Sequence, residues 1–296
     1  MLFVGAAISA LKPYIREERI PEGGVALVQP SIRTHNAGRL LDDDFRFAWG
    51  GHFTNMALLA PIGRALEFAQ HSMAFFLEAL GFPADRVRLR VASADADLLE
   101  ICSAIAGPVE IEVDTFSPPY YRHRIGMDEV GGRNFNIALE ATRGGPHLDV
   151  GNFIIFENRT TGYRFVELGY GDSTILKARY GLDHVLDCFP FPALHEVDTD
   201  RRLAVEDTAI VSIVLWREGL RPSSRDASTK VLGKYIRGLA HACSRAGLTT
   251  EEWRESASTY ERRMYGDATA SNEIADHMVL HAQSIAEKVA SDRSRP

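Results

Sequence analysis

FNIALEA (135–141), NFIIFEN (152–158) and YRFVELG (163–169) follow one another closely, with glycine-bearing turns between them. Each run is rich in aromatic and branched residues and too short for a stable helix, so each reads as a strand. Strands joined by short turns pair antiparallel, since a parallel neighbour needs a long crossover. Working toward the N-terminus, Val109, Ile111 and Val113 alternate with other residues as a further strand. Val87, Leu89 and Val91 alternate with Arg86, Arg88 and Arg90, the pattern of a half-exposed strand. Before it, Ile62, Ala65, Leu66, Ala69, Met73, Phe76, Leu77 and Leu80 recur at helical spacing. Pro61 suits the first turn, and Gly81 with Pro83 ends the helix. Strand-rich sequence with long helices packed on one side points to an α+β fold with an antiparallel sheet.

Toward the C-terminus the character changes. PFPALHEVDTDRR (190–202) is proline-bearing and then charged, a natural boundary. The expected domains are therefore 1–200, mixed strand and helix, and 201–296, all helical. Helices fit 205–219, 228–246, 251–265 and 271–291, with Thr249 and Glu252 forming a capping box before the third.

Composition excludes several classes. The 296 residues are 45% hydrophobic and 25% charged, with a net charge of -7 and a pI near 5.8. That argues against a chain coated in basic charge for non-specific nucleic-acid binding. Cys102, Cys188 and Cys243 form no CxxC pair and no even disulfide framework, which suits a reducing cytoplasm. No signal peptide and no membrane-spanning run are expected.

Several segments together resemble alanyl-tRNA synthetase. LVQPSIRTHNAG (27–38) with FRFAWGGHF (45–53) resembles that family's motif 2, and MLFVGAAISALKPY (1–14) its motif 1. The segment from Ala60 through Ser93 is similar to its helix and following strand. VGGRNFNIALE (130–140) and GNFIIFENR (151–159) resemble two of its strands. ARYGLDHVL (178–186) resembles motif 3, and the stretch from Val205 to Ala242 its helical domain. The resemblance implies a class II synthetase-like antiparallel sheet flanked by helices, then a helical tRNA-recognition domain. The expected chain is a truncated paralogue lacking the editing and C-terminal domains.

The resemblance also implies site residues. Arg33 takes the place of the motif 2 arginine on the ATP α-phosphate, where a planar guanidinium fork can hold two oxygens. Phe47 matches the aromatic that stacks on adenine; a core phenylalanine is an equal alternative. His184 stands for the motif 3 arginine, a weaker and pH-dependent clamp. Lys177 falls where the family places an aspartate for the substrate α-amino group, with Arg179 beside it. Two cations there favour an anionic group. Asn134 and Asn152 complete the implied substrate pocket. Asp42, Asp43 and Asp44 replace a basic run that holds the ATP tail, so ATP with Mg²⁺ is expected to bind weakly.

The basic balance rises locally. Residues 201–247 hold nine Lys or Arg against four acids, and Lys230, Lys234 and Arg237 share one helix face. The resemblance sets this face beside a tRNA acceptor stem, although Ser224 replaces a base-reading asparagine. No metal site is expected: HMVLH (277–281) lacks a catalytic glutamate, and Asp42–Asp44 with His35 and His52 read as a solvated acidic loop. The expected function is the handling of an aminoacyl group, as adenylate or aminoacyl-tRNA, in specialised metabolism, by a ligase or aminoacyl transferase. The expected partners are tRNA, a small amino-acid-like or anionic substrate, and a second copy of the chain paired through motif 1. The alternative is a non-catalytic pseudo-synthetase that regulates or binds a partner.

Overall fold

The computed structural model describes residues 5–188, 191, 194, 197–223 and 226–279. The chain forms two compact units. A sheet unit comprises residues 4–31 together with 53–188, and a helical unit comprises 1–3, 32–52 and the segment from 189 onward.

In chain order the elements are α1 (Ile8–Arg16), β1 (Val25–Ile32), β2 (His52–Pro61), α2 (Ala65–Ala74), β3 (Val87–Val91), α3 (Ala96–Ile105) and β4 (Glu110–Val113). Then come β5 (Arg122–Arg124), β6 (Val130–Glu140), β7 (His147–Asn158), β8 (Arg164–Gly171) and α4 (Asp172–Tyr180). The later helices are α5 (Thr199–Arg217), α6 (Ala227–Ala246) and α7 (Thr250–Tyr265), and residues 269–279 are also helical. The fold is α+β, with an eight-stranded mixed sheet and a helical C-terminal region.

The three strands that open the sequence argument form the centre of the sheet. Its order is β1-β2-β8-β7-β6-β3-β4, with β5 pairing β6 beside that path. β2/β8, β8/β7, β7/β6, β6/β3 and β6/β5 are antiparallel. β3 and β4 are parallel, and α3 supplies the crossover that a parallel pair requires.

Period-2 alternation gives the sheet two faces. On one, Ile137, Leu139, Phe153, Ile155, Val166 and Leu168 pack with Phe68, Met73 and Phe76 of the α2 segment and Leu98 of α3. Phe135 and Phe153, cross-strand partners, stack there at 4.8 Å. On the other face, Ala57, Leu59, Ile154, Phe156 and Phe165 pack against Ile8, Leu11 and Ile15 of α1. Helices thus cover both faces, not one as expected, because both sides of the central strands carry apolar residues.

The helix read over 61–80 is less regular than its pattern. It opens as a 3₁₀ turn at Ile62–Arg64, runs as α2, and ends in a π turn at Phe75–Ala79. The half-exposed reading of β3 is also corrected. Arg90 is only 8% exposed, held by Glu112 at 2.7 Å and Asp149 at 2.8 Å.

In the helical unit, Asp226 and Thr249 cap α6 and α7, the latter through the expected box with Glu252. The segment 32–52 packs on these helices: Leu40 lies against Gly238, and the Tyr235 hydroxyl donates to the Arg33 carbonyl at 3.2 Å. Of the helix expected over 271–291, residues beyond 279 lie outside the described residues.

Candidate functional site

Register places a row of polar groups on the α1-facing side of the sheet. Asn134 pairs with Ile154, which pairs with Glu167, which pairs with Leu59. The next row is Asn136, Asn152, Gly169 and Ala57. Asn134, Asn136 and Glu167 are all buried.

The asparagines satisfy one another. The Asn134 and Asn152 amides both donate to Asn136 Oδ1, and Asn134 Oδ1 meets His123 Nδ1 at 3.0 Å. Burial lowers the His123 pKa against that contact, which favours the neutral ring. The chain continues through Asp149, which accepts from Tyr120 and from Arg90, and Arg90 reaches Glu112. Burial, followed by the Asp149 carboxylate, raises the Tyr120 pKa. A connected polar network of this kind orders the surface beneath it.

Glu167 is the exception. Among the described residues nothing donates a hydrogen bond or ion pair to its carboxylate. Desolvation alone pushes its pKa up to about 8. Its neighbour Gly169 keeps the space beside it open: a Cβ there would lie 3.9 Å from Glu167 Oε1. One strand end further, Asn55 joins elements around this face, accepting from the Ala7 amide at 2.8 Å and donating to the Tyr170 carbonyl at 2.8 Å. Asp172 opens α4 and accepts from the Thr54 amide at 2.9 Å.

The residues expected to form the substrate pocket divide. Asn134 and Asn152 lie in the polar row. Lys177 and Arg179 do not project from a strand; they sit on α4. Lys177 Nζ donates to the carbonyls of Leu182 (2.9 Å) and Asp183, closing the C-terminal end of that helix. Arg179 lies 5.9 Å from the Phe82 ring. His184 Nδ1 accepts from the Leu186 amide at 3.2 Å, at the start of the short turn Val185–Cys188. Lys177 and His184 thus each engage backbone groups within six residues of themselves. Lys177→Asp should therefore cost about 1–2 kcal/mol of stability by removing the carbonyl clamp and setting an acid at a helix C-terminus. Thermal melts of that variant should fall while its ligand affinity stays at the wild-type value.

Arg33 and Phe47 belong to the helical unit. The Arg33 guanidinium lies 5.7 Å from the Trp49 ring, and burial lowers its pKa. Phe47 is buried, edge-on to Phe45 at 4.7 Å, in the wall of a cavity of about 420 Å³. Two of the three acids of the loop have cationic or ring partners: Asp42 pairs with Arg39 at 3.0 Å, and Asp43 meets His241 at 3.0 Å and Arg245 at 3.3 Å. Close by, Asp207 is fully buried on α5 and accepts from the Gly51 amide. Burial pushes its pKa up to about 7. Lys230, Lys234 and Arg237 are exposed on α6, opposite the buried Leu232, Tyr235 and Ile236. Ser224 and His281 lie outside the described residues. Among the described residues no group of three or more metal-ligating side chains converges, and no helix is long and apolar enough to cross a membrane.

Sequence reasoning missed Glu167, Asn136, Asp149, Tyr120 and Arg90. The signal was present as Asn134 and Asn136, polar residues two apart, and as Glu167 two residues before a glycine, inside otherwise apolar strands.

Neither family models nor curated proteins match the chain. Among solved structures it is similar to the RNA binding domain of threonyl-tRNA synthetase from Cryptosporidium parvum Iowa II, at 10% identity and a TM-score of 0.37. That alignment covers 62% of this chain and 50% of the other, so the chain spans half the length of the structure it matches.

Proposed function

We propose that the chain handles an aminoacyl group in the manner of an alanyl-tRNA synthetase relative, and that Glu167 receives the ammonium of the amino acid. The observation that carries this reading is a buried carboxylate, without a partner among the described residues, beside a glycine and an ordered row of amides. A bare buried carboxylate is costly, and a bound cation removes that cost. The resemblance seeks a carboxylate for an α-amino group. Glu167 supplies one ten residues before Lys177, whose charge is already engaged by carbonyls. The fixed amides of Asn134, Asn136 and Asn152 suit the remaining polar atoms of such a ligand.

Titration calorimetry across the amino acids, with amino-acid-dependent pyrophosphate exchange beside it, tests this. Because Glu167 must ionise to bind an ammonium, affinity should rise about tenfold per pH unit up to about pH 8, its pKa, and then level. No binding by any amino acid, or binding flat across pH 6–8, would reject the assignment.

Exchange separates a ligase from the second reading, a non-catalytic pseudo-synthetase. That reading is favoured by Phe47, whose ring is already packed against Phe45. A chain that binds an amino acid without exchange is the pseudo-synthetase or a transferase fed by aminoacyl-tRNA. We further propose tRNA as partner and a homodimer through the motif 1 segment. Replacing Lys230, Lys234 and Arg237 with Ala should lower tRNA affinity and reduce the salt slope by roughly one phosphate contact per residue. An unchanged gel shift would place any tRNA elsewhere.

A further inference from the structure

We infer a second binding site, for a phosphate group, on the opposite face of the sheet where β5 meets β6. It stands independently of the aminoacyl reading. A cavity of about 350 Å³ opens there, bordered by Arg122, Arg124, Arg133 and Arg159, with Glu157 as its one lining carboxylate and Gly131 in its floor.

The strand register gathers the cations. Arg122 pairs with Arg133, and Arg124 with Gly131, across the two strands. Two of the arginines are held in place. Asp95, itself 3% exposed, accepts from Arg122 at 2.6 Å and from Arg133 at 3.3 Å. Asp97 holds Arg133 through both of its oxygens, at 2.6 and 2.8 Å, and also pairs with Arg164 at 3.2 Å. Those ion pairs keep the Asp97 pKa down at about 2. Arg124 and Arg159 have no carboxylate partner among the described residues.

The local balance is five arginines (122, 124, 133, 159 and 164) against three carboxylates (Asp95, Asp97 and Glu157), an excess of two in a chain whose net charge is -7. Crowded like charges repel unless an anion joins them.

Gly131 makes the arrangement possible. A Cβ at that position would lie 2.9 Å from Arg159 Nη2, so any side chain would push the guanidinium away. The glycine is therefore a seat for Arg159, with Arg124 opposite it on β5. Guanidinium forks match phosphate oxygens in pairs, and the forks of Arg124 and Arg159 are the ones left without a carboxylate among the described residues, while Asp95 and Asp97 hold Arg122 and Arg133 in place beside them. The cavity is several times the size of a phosphate ion, which leaves room for the group that carries the ester. The phosphate could belong to a small phosphorylated molecule or to a nucleic-acid backbone; the chemistry of recognition is the same.

Titration calorimetry with inorganic phosphate, on the full chain, tests the site. Wild type should bind, and the double variant Arg124→Gln/Arg159→Gln should bind at least about tenfold more weakly with an unchanged melting temperature. Gly131→Ala should weaken binding in the same direction. A short oligoribonucleotide identifies the source. Binding that phosphate displaces and that the double variant loses assigns the site to a nucleic-acid backbone. Phosphate binding with no such RNA competition assigns it to a small phosphorylated ligand. The inference is overturned if phosphate gives no saturable heat, or if the folded double variant binds it as wild type does.

Discussion

Glu167→Gln is expected to stabilise the protein at pH 8 by about 2–3 kcal/mol while lowering amino-acid affinity at least about 100-fold. The two effects have one cause. The Glu167 pKa, about 8 when folded, lies above its ordinary value near 4.5. A raised folded pKa contributes stability that is fully present below the unfolded value and is lost as pH rises through the folded one. The loss amounts to about 5 kcal/mol when complete, at roughly 1.4 kcal/mol per pH unit. Glutamine removes that dependence but leaves a buried amide without partners, which returns about 1–3 kcal/mol. Wild type should therefore be the more stable near pH 5, by up to about 2 kcal/mol, and the order should reverse as pH rises, with the variant higher by pH 8. Asp207, whose pKa is about 7, adds a slope of the same sign in both proteins. Denaturant unfolding at pH 5, 7 and 8.5 measures the divergence. A variant less stable than wild type at pH 8.5 would mean that Glu167 has a structural partner, and the ammonium site would fall with it.

The same exchange at Glu261 should act in the opposite direction. Glu261 is 0% exposed on α7, yet every demand of its charge is met. It accepts from Arg217 at 2.6 Å, from the Ala270 amide at 3.1 Å and from the Ser271 amide at 2.7 Å. Those amides begin the helix over 269–279, so the carboxylate serves as a buried cap on its positive end. Arg217 is positioned in turn by Asp267, through two contacts at 2.8 and 3.1 Å, and by the Tyr265 ring at 4.4 Å. Glu261→Gln removes the charge and turns a donor toward other donors. Breaking one side of a buried pair costs about 3–5 kcal/mol. Urea unfolding at pH 7 should show that loss for Glu261→Gln, against a gain for Glu167→Gln. A change below about 1 kcal/mol would contradict the buried-cap description.

The contrast between two buried glutamates also marks where sequence reading stops. Both stand at polar positions in elements that the pattern identifies, and nothing next to either reveals its fate. Partners for Glu261 lie nine and ten residues on, beyond a turn, and 44 residues back on α5. Glu167 has apolar neighbours across both strands, because β2 and β7 set Leu59 and Ile154 beside it, and no partner among the described residues.

Local order was legible because its causes are local. Apolar alternation marked β6, β7 and β8, proline and glycine bounded the helix after β2, and Thr249 with Glu252 announced α7. Each rests on interactions within a few residues, where steric preference and capping act directly. The site was not legible in this way. The period-2 pattern put Asn134, Asn136 and Glu167 on one side of their strands, but a polar row on a strand ordinarily faces water. Only the tertiary structure brings α1 onto that face, buries the row and leaves the Glu167 carboxylate without a partner among the described residues. Lys177 and His184, prominent in the sequence, are instead engaged by backbone groups within six residues of themselves. A side chain's charge is set by its residue type. Whether that charge is solvated, paired or left waiting depends on which distant strand or helix packs over it, and that is settled by folding alone.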